Sequence, residues 1–444
     1  MATPTVQRRT SAPAAKLIQW LQVLRAALGR PLIAVLIAFV LGIIIIAVTS
    51  AGSLSDRFST AFSAYYYLLN GSFGNVQNIS FTLAKSTPLI FAGLSVAIAY
   101  RAGLFNIGTA GQLTVGSMVA GIIGLRLTML PGWFLVPLML IASMISGGLW
   151  GAIVGALKAW RGAHEVVTSI MLNWIAFNVA AYLVEGPFQA PGLVQQTLPL
   201  GPNATLPSLA LLYNQTVGTF LPPIDSPTQY TVDAGLLIAL VALLVYWFVT
   251  ARTTFGYELR VIGQNPKAAR YAGIPLKKNI ILAMALAGAF AGLAGSTRLM
   301  GQVPYQLISS SFSTDNTGFN AIGVALLGRT TSTGVLLAAL LFGGLAQSGP
   351  YMQSFVNVPG DIIYIMQALV LFSISVEYIP VGLRFVSRLR GREAKMATTT
   401  LVPNLMHVEA AEAMLVPTTG AESDTSGDDV GRIDPAATST GQEG

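Results

Sequence analysis

The polar side chains set into apolar stretches of this 444-residue chain are mostly amides. Asn106 and Gln112 bracket two glycines, Gly108 and Gly111, and Asn173 and Asn178 share a second apolar run. Asn320 opens a third, with Asn316 before it and Gln367 further along. A polar group on a lipid-embedded helix is costly and turns toward a cavity or a neighbouring helix. None of these seven side chains titrates. The chemistry they offer is hydrogen bonding, together with glycine-exposed backbone, either to a neutral polar solute or to an adjacent helix. Lys85 and Arg298 fall near expected span ends, where a cation gates a path or snorkels to the headgroups. Glu165, Glu185, Asp361 and Glu377 also fall at span ends, where solvent and headgroup contact accounts for them.

Covalent and metal chemistry find no footing. The absence of cysteine removes thiol catalysis, thiolate metal sites and disulfides, and His164 and His407 are too few for a histidine cluster. The chain has no G-x-x-x-x-G-K-[ST] phosphate loop, no nucleophile elbow and no zincin motif, and Gly108–Gly111 lack the preceding strand of a nucleotide fingerprint. Any ATP energy must therefore come from a partner.

One charged island interrupts the apolar chain, GYELRVIGQNPKAARYAGIPLKKN from Gly256 to Asn279. Asn265 followed by Pro266 predicts a helix N-cap with proline at the first helical position. Gly273 predicts a left-handed stop, and Pro275 forbids continuation. The resulting helix, Pro266 to Ala272, sets Lys267, Arg270 and Tyr271 on one face, while Ala268, Ala269 and Ala272 form a slim surface that a partner can approach. A short, capped, basic helix flanked by Gly256, Glu258 and Arg260 is built to dock something.

The elements that must position these groups are membrane helices. With 53% hydrophobic and 10% charged residues, against about 25% charged in soluble domains, the chain is an all-α polytopic membrane protein. Its 45 glycines suit helices packed closely in lipid. Residues 1–30 form a cytoplasmic segment with an interfacial amphipathic helix, Leu17, Leu21, Leu24 and Leu28 on one stripe. The transmembrane domain occupies 31–390, with spans near residues 31–48, 81–100, 105–124, 133–157, 166–184, 232–250, 279–297, 321–327, 335–346 and 362–379. Residues 186–231, free of Lys and Arg, make an external loop, and 251–278 a basic cytoplasmic one. That gives about ten crossings with both termini cytoplasmic. Nine of the 18 acidic residues lie beyond Gly391 in a Thr/Ser/Gly-rich tail, 391–444, whose composition predicts disorder. The basic excess of the remainder belongs to membrane-flanking loops, so no nucleic acid is expected as a partner.

Four stretches in order, RAGLFNIGTAGQ (101–112), GAHEVVTSIMLNWIA (162–176), ELRVIGQNPKAARYAGI (258–274) and AIGVALLGR (321–329), resemble the membrane permeases of bacterial ABC importers. More narrowly they resemble the simple sugar and nucleoside branch, related to the ribose-type and branched-chain amino-acid permeases. In that branch Glu often stands in place of Ala110 and Asn in place of His164. The resemblance covers residues 80–380 and implies the ABC importer permease fold in a bacterial cell membrane. It implies that Asn265–Gly273 is the coupling helix for an ABC ATPase, and that the ATPase, not this chain, uses ATP and magnesium. The other partners it implies are an external substrate-binding lipoprotein and a second, homologous permease subunit. The solute is expected to be a nucleoside in preference to a simple sugar. An ion-coupled secondary transporter needs titratable groups buried mid-span, and an intramembrane enzyme needs a catalytic constellation. The sequence supplies neither.

Overall fold

The computed structural model describes residues 13–192, 194–220 and 222–375, so the acidic tail and the first twelve residues lie outside the description. The described residues are helical, with two isolated β-bridges and no named strand. In chain order the helices are α1 (Pro13–Thr49), α2 (Leu54–Phe73), α3 (Val76–Arg101), α4 (Thr109–Arg126), α5 (Gly132–Arg161), α6 (Glu165–Glu185), α7 (Leu209–Gln215) and α8 (Gly235–Arg252). They continue with α9 (Thr254–Gln264), α10 (Pro266–Tyr271), α11 (Leu276–Gly301), α12 (Ser311–Thr314), α13 (Thr317–Leu327), α14 (Ser332–Val356) and α15 (Ile362–Ser375).

Seven of these are long and apolar enough to cross a bilayer: α1 from Pro31 onward, α3, α5, α6, α8, α11 and α14. Three of the ten spans expected from sequence are not among these seven, for identifiable reasons. Helix α4 opens on the polar turn Thr109–Gln112, α13 has 11 residues, about half a bilayer, and α15 is described over only 14. The expected interfacial helix is continuous with the first span, since α1 runs unbroken through Pro31.

Helix α3 is the centre. Its span is 83% buried, against 22% for α6, most of whose surface the chain itself leaves uncovered. Around α3 the largest apolar cluster gathers Phe91, Leu94 and Ile98 with Tyr246 of α8, Phe290 of α11 and Phe342 of α14. Lipid is as apolar as these side chains, so close backbone packing must hold the helices together. Helix α11 provides it. A Cβ on Gly288 would lie 2.1 Å from the Gly147 carbonyl oxygen of α5, and one on Gly292 would lie 2.1 Å from that of Ser143. On another side, Gly295 meets the Leu113 carbonyl of α4 at the same distance. The Ser143 and Ser296 hydroxyls, 2.8 Å apart, close the α5–α11 seam.

At the end of α11, residues 303–309 turn back and pair with the loop before α7. Thr197 N donates to Leu307 O and Leu200 N to Tyr305 O, at 2.9 and 2.8 Å. Gln306 reaches Gln196 at 2.9 Å, and Ser309 donates to Glu185 at 2.5 Å. This paired strip roofs one end of the bundle. Beside it, Asp233 is buried at the start of α8, where its carboxylate accepts the Gly235 N–H at 2.6 Å. Burial pushes the Asp233 carboxyl up to about 6, the Gly235 hydrogen bond only partly opposing it.

Two stability predictions follow from this packing. Gly288→Ala should cost about 1–3 kcal/mol through overpacking, read as a lower melting temperature in detergent, whereas Gly201→Ala, with open space around its Cβ, should change it by less than about 0.5 kcal/mol. Because Asp233 holds its proton more tightly folded than unfolded, its contribution to stability is complete below pH 3.8 and is lost as the pH rises through about 6. Asp233→Asn keeps the acceptor for Gly235 and should stabilise the protein at pH 7.5, by on the order of 3 kcal/mol at most. That gain should shrink as the pH falls toward 4, and melting temperatures across that range check it.

Candidate functional site

The charged island folds as α9 and α10. Asn265 is extended (φ −153°), and its Oδ1 accepts the N–H groups of Lys267 and Ala268 at 3.0 and 3.1 Å, with Pro266 as the first helical residue. At the other end Gly273 adopts φ +75°. Ile274 N donates to Ala269 O at 3.0 Å and Gly273 N to Arg270 O at 3.1 Å, the two bonds of a Schellman stop. Lys267, Ala268, Arg270, Tyr271 and Ala272 are exposed, Tyr271 at 93%. Ala269, expected on the partner-facing surface, is instead completely buried and seats the helix on its own chain.

Helix α9, to which the sequence reading gave no element, anchors the island. Thr253 caps it by accepting the Gly256 N–H at 3.2 Å, and Leu259 and Ile262 face inward. The spacing of Phe255, Leu259 and Ile262 is the signal that could have found it. Gly256 allows the tight entry from α8, since a Cβ there would lie 2.3 Å from Val249 O. Glu258 accepts a hydrogen bond from buried Asn279 of α11 at 2.6 Å, while Arg260 stays exposed. At the far end of α9 a Cβ on Gly263 would lie 2.4 Å from Arg101 O, at the end of α3. There Arg101 donates to Tyr246 OH at 3.0 Å and to Thr330 O at 2.9 Å, joining α3, α8 and the turn before α14. The exposed helix thus stands on a base fixed to α3, α8 and α11.

The amides expected to line a path divide into two groups. Asn106, Gly108, Gly111, Gln112 and Asn173 come together at the start of α4. Asn106 and Gln112 exchange hydrogen bonds at 2.9 and 3.2 Å, and Asn106 also donates to Ser95 at 3.1 Å. Asn106 Oδ1 accepts from Gly108 N, while Asn173 accepts from Gly111 N at 2.9 Å and donates to Ile107 O at 3.0 Å. Backbone that leaves a helix at membrane depth must find partners within the protein, and these amides supply them for residues 106–111. Asn178 is apart and exposed, bonded to Trp174 O at 2.7 Å, and Asn320 bonds Gln367 at 3.1 Å.

None of those seven residues lines a cavity of about 180 Å³ that opens between α3, α4, α11 and the turn through α12. Its polar lining includes Lys85, Thr114, Ser117, Arg298, Gln302 and Asp315. Arg298 donates to Asp315 Oδ2, and Asp315 Oδ1 accepts from Thr317 N and Oγ1 at 3.0 and 2.7 Å. The pair ties α11 to the first turn of α13. Lys85 is solvent-accessible in the cavity and has no hydrogen-bond or ion-pair partner among the described residues. Ala110 and Gly318 meet in the same wall, where a Cβ on Gly318 would lie 2.6 Å from Ala110 Cα. Sequence alone did not gather Lys85, Arg298 and Asp315, which lie 17 to 230 positions apart.

Comparison with known proteins bears on this arrangement. The family model for the branched-chain amino acid transport system / permease component matches residues 78–375. A guanosine ABC transporter permease of Bacillus subtilis is 36% identical over 80% of this chain and 94% of its own length. A nucleoside ABC transporter permease of Lactococcus lactis is 35% identical, covering 79% and 91%, and a glucose ABC transporter permease of Haloferax volcanii is 33% identical, covering 82% and 92%. No solved structure gives a significant match. With its all-helical bundle and a match running from the first turn of α3 to the end of α15, the chain belongs to the branched-chain amino acid transport system / permease component family.

Proposed function

We propose that this chain is the membrane-spanning permease subunit of an ATP-driven (ABC) importer, and that its solute is a nucleoside. The observation that carries the reading is α10, a helix capped at both ends, exposed on its basic and aromatic face and braced on three membrane helices, in a chain without a phosphate loop. Such a helix transmits force from a partner that binds ATP and magnesium. ATPase closure pushes α10, and its anchorage to α3 and α11 tilts those helices and alternates access to the path.

On this reading the island is cytoplasmic, and so are Arg101, Lys158 and Arg161. Alternation of sides then gives ten crossings with both termini inside, α4, α13 and α15 crossing as shorter or more polar helices inside the bundle. The loop over 186–231, with its paired strip, faces outward and receives the solute from an external binding lipoprotein. A single coupling helix per chain matches half of a two-ATPase engine, so a second permease subunit, a homologue of this chain, completes the assembly. A nucleoside is favoured over a sugar because the relatives named for guanosine and nucleoside are 36% and 35% identical to this chain, against 33% for the one named for glucose.

The test is uptake of radiolabelled guanosine by cells carrying the complete transporter, with unlabelled nucleosides and sugars as competitors. Nucleosides should compete and glucose should not. The double change Arg270→Asp and Tyr271→Asp should reduce uptake roughly tenfold or more at an unchanged membrane level and should release the ATPase from the purified complex. Normal uptake by that variant would overturn the docking assignment.

A further inference from the structure

The cavity described above carries a feature that docking and helix packing leave unused. Lys85 stands on the tenth residue of α3, about 14 Å along a helix long and apolar enough to cross a bilayer, and its side chain lines the cavity. A membrane-embedded cation is held for function or for a partner, and the nearest carboxylate of the cavity, Asp315, is already committed to Arg298 and Thr317. That leaves the cavity with two cations, Lys85 and Arg298, against one carboxylate, and the Lys85 ammonium offers only donors. Arg298 lies 22 residues beyond the start of α11, about 33 Å from the coupling segment, which puts this site at the solute-receiving end of the bundle.

We infer that this cavity is the outer solute site and that Lys85 is a specificity-determining residue that reads the base of a nucleoside through its hydrogen-bond acceptors. The inference rests on the proposed nucleoside import. A lysine ammonium matches the adjacent O6 and N7 acceptors of guanine, the pairing by which it reads that base in nucleic acids. Adenine replaces O6 with an amino donor, which would face the ammonium donor to donor. The site therefore selects 6-oxopurine nucleosides, guanosine and inosine, over adenosine. Thr114, Ser117 and Gln302 offer hydroxyl and amide partners for the remaining polar edges of such a solute.

The experiment measures uptake of labelled guanosine by cells with the complete transporter, competed by unlabelled guanosine, inosine, adenosine and guanosine monophosphate. The preference of guanosine over adenosine is a ratio and does not depend on how much transporter is made. The unmodified transporter should prefer guanosine and inosine by roughly tenfold or more, Lys85→Met should collapse the ratio toward one, and Lys85→Arg, which keeps a cationic donor, should retain most of it. An unchanged ratio in Lys85→Met overturns the inference while leaving nucleoside import standing. Stronger competition by the monophosphate than by guanosine also overturns it, since the ammonium would then be reading an anion. Failure of the unmodified transporter to take up any nucleoside strikes the import reading itself.

Discussion

Everything in this bundle depends on how closely α11 can approach its neighbours. Apolar side chains gain little by leaving lipid for one another, so the helices are held by contacts that need small residues and direct backbone proximity. Gly288 and Gly292 let the α5 carbonyls press onto α11, and Gly295 does the same for α4, with the Ser143–Ser296 hydrogen bond added where the seam ends. Any side chain there would push α5 or α4 outward. Because the cavity is walled by α4 and α11 together, its width is set by that seam as much as by its own lining.

The same helix joins the exposed island to the cavity. Asn279, in the first turn of α11, is bound to Glu258 of α9, and Arg298, in its last turn, is bound to Asp315 in the cavity wall. Helix α3 repeats the arrangement: Arg101 and Gly103 at its end touch α9, and Lys85 near its start enters the cavity. The two helices that carry the cavity's cations are therefore both held at their opposite ends by the α9–α10 segment. A rigid-body tilt of either would move a cation relative to Asp315, and packed helices respond to such a load as units.

Much of this was legible in the sequence, and the boundary is physical. The short helix α10 was, because caps are local: Asn265, Pro266 and Gly273 act within a few residues, and the structure reproduces each bond they imply. Helix α9 leaves a weaker mark, since its apolar period is carried by Phe255, Leu259 and Ile262 alone. The number of spans is less legible, because length and hydropathy do not decide whether an 11-residue helix such as α13, buried among α3, α14 and α15, makes a crossing. The grouping of Lys85 with Arg298 and Asp315 could not be read at all. It exists only once α3, α11 and the α12 turn have packed.

The amides were the harder case, because the correct physical premise led to two destinations. An amide in a membrane helix must find a partner, and that partner can be solute or protein. The broken backbone before α4 decides between them: Asn106, Gln112 and Asn173 spend their donors and acceptors on one another, on Ser95 and on the backbone of Ile107, Gly108 and Gly111. Groups so engaged cannot bind a passing solute without unmaking the bend they support. The amides fix where α4 begins, and hence where Thr114 and Ser117 stand in the cavity wall, so their work is to hold that wall in place.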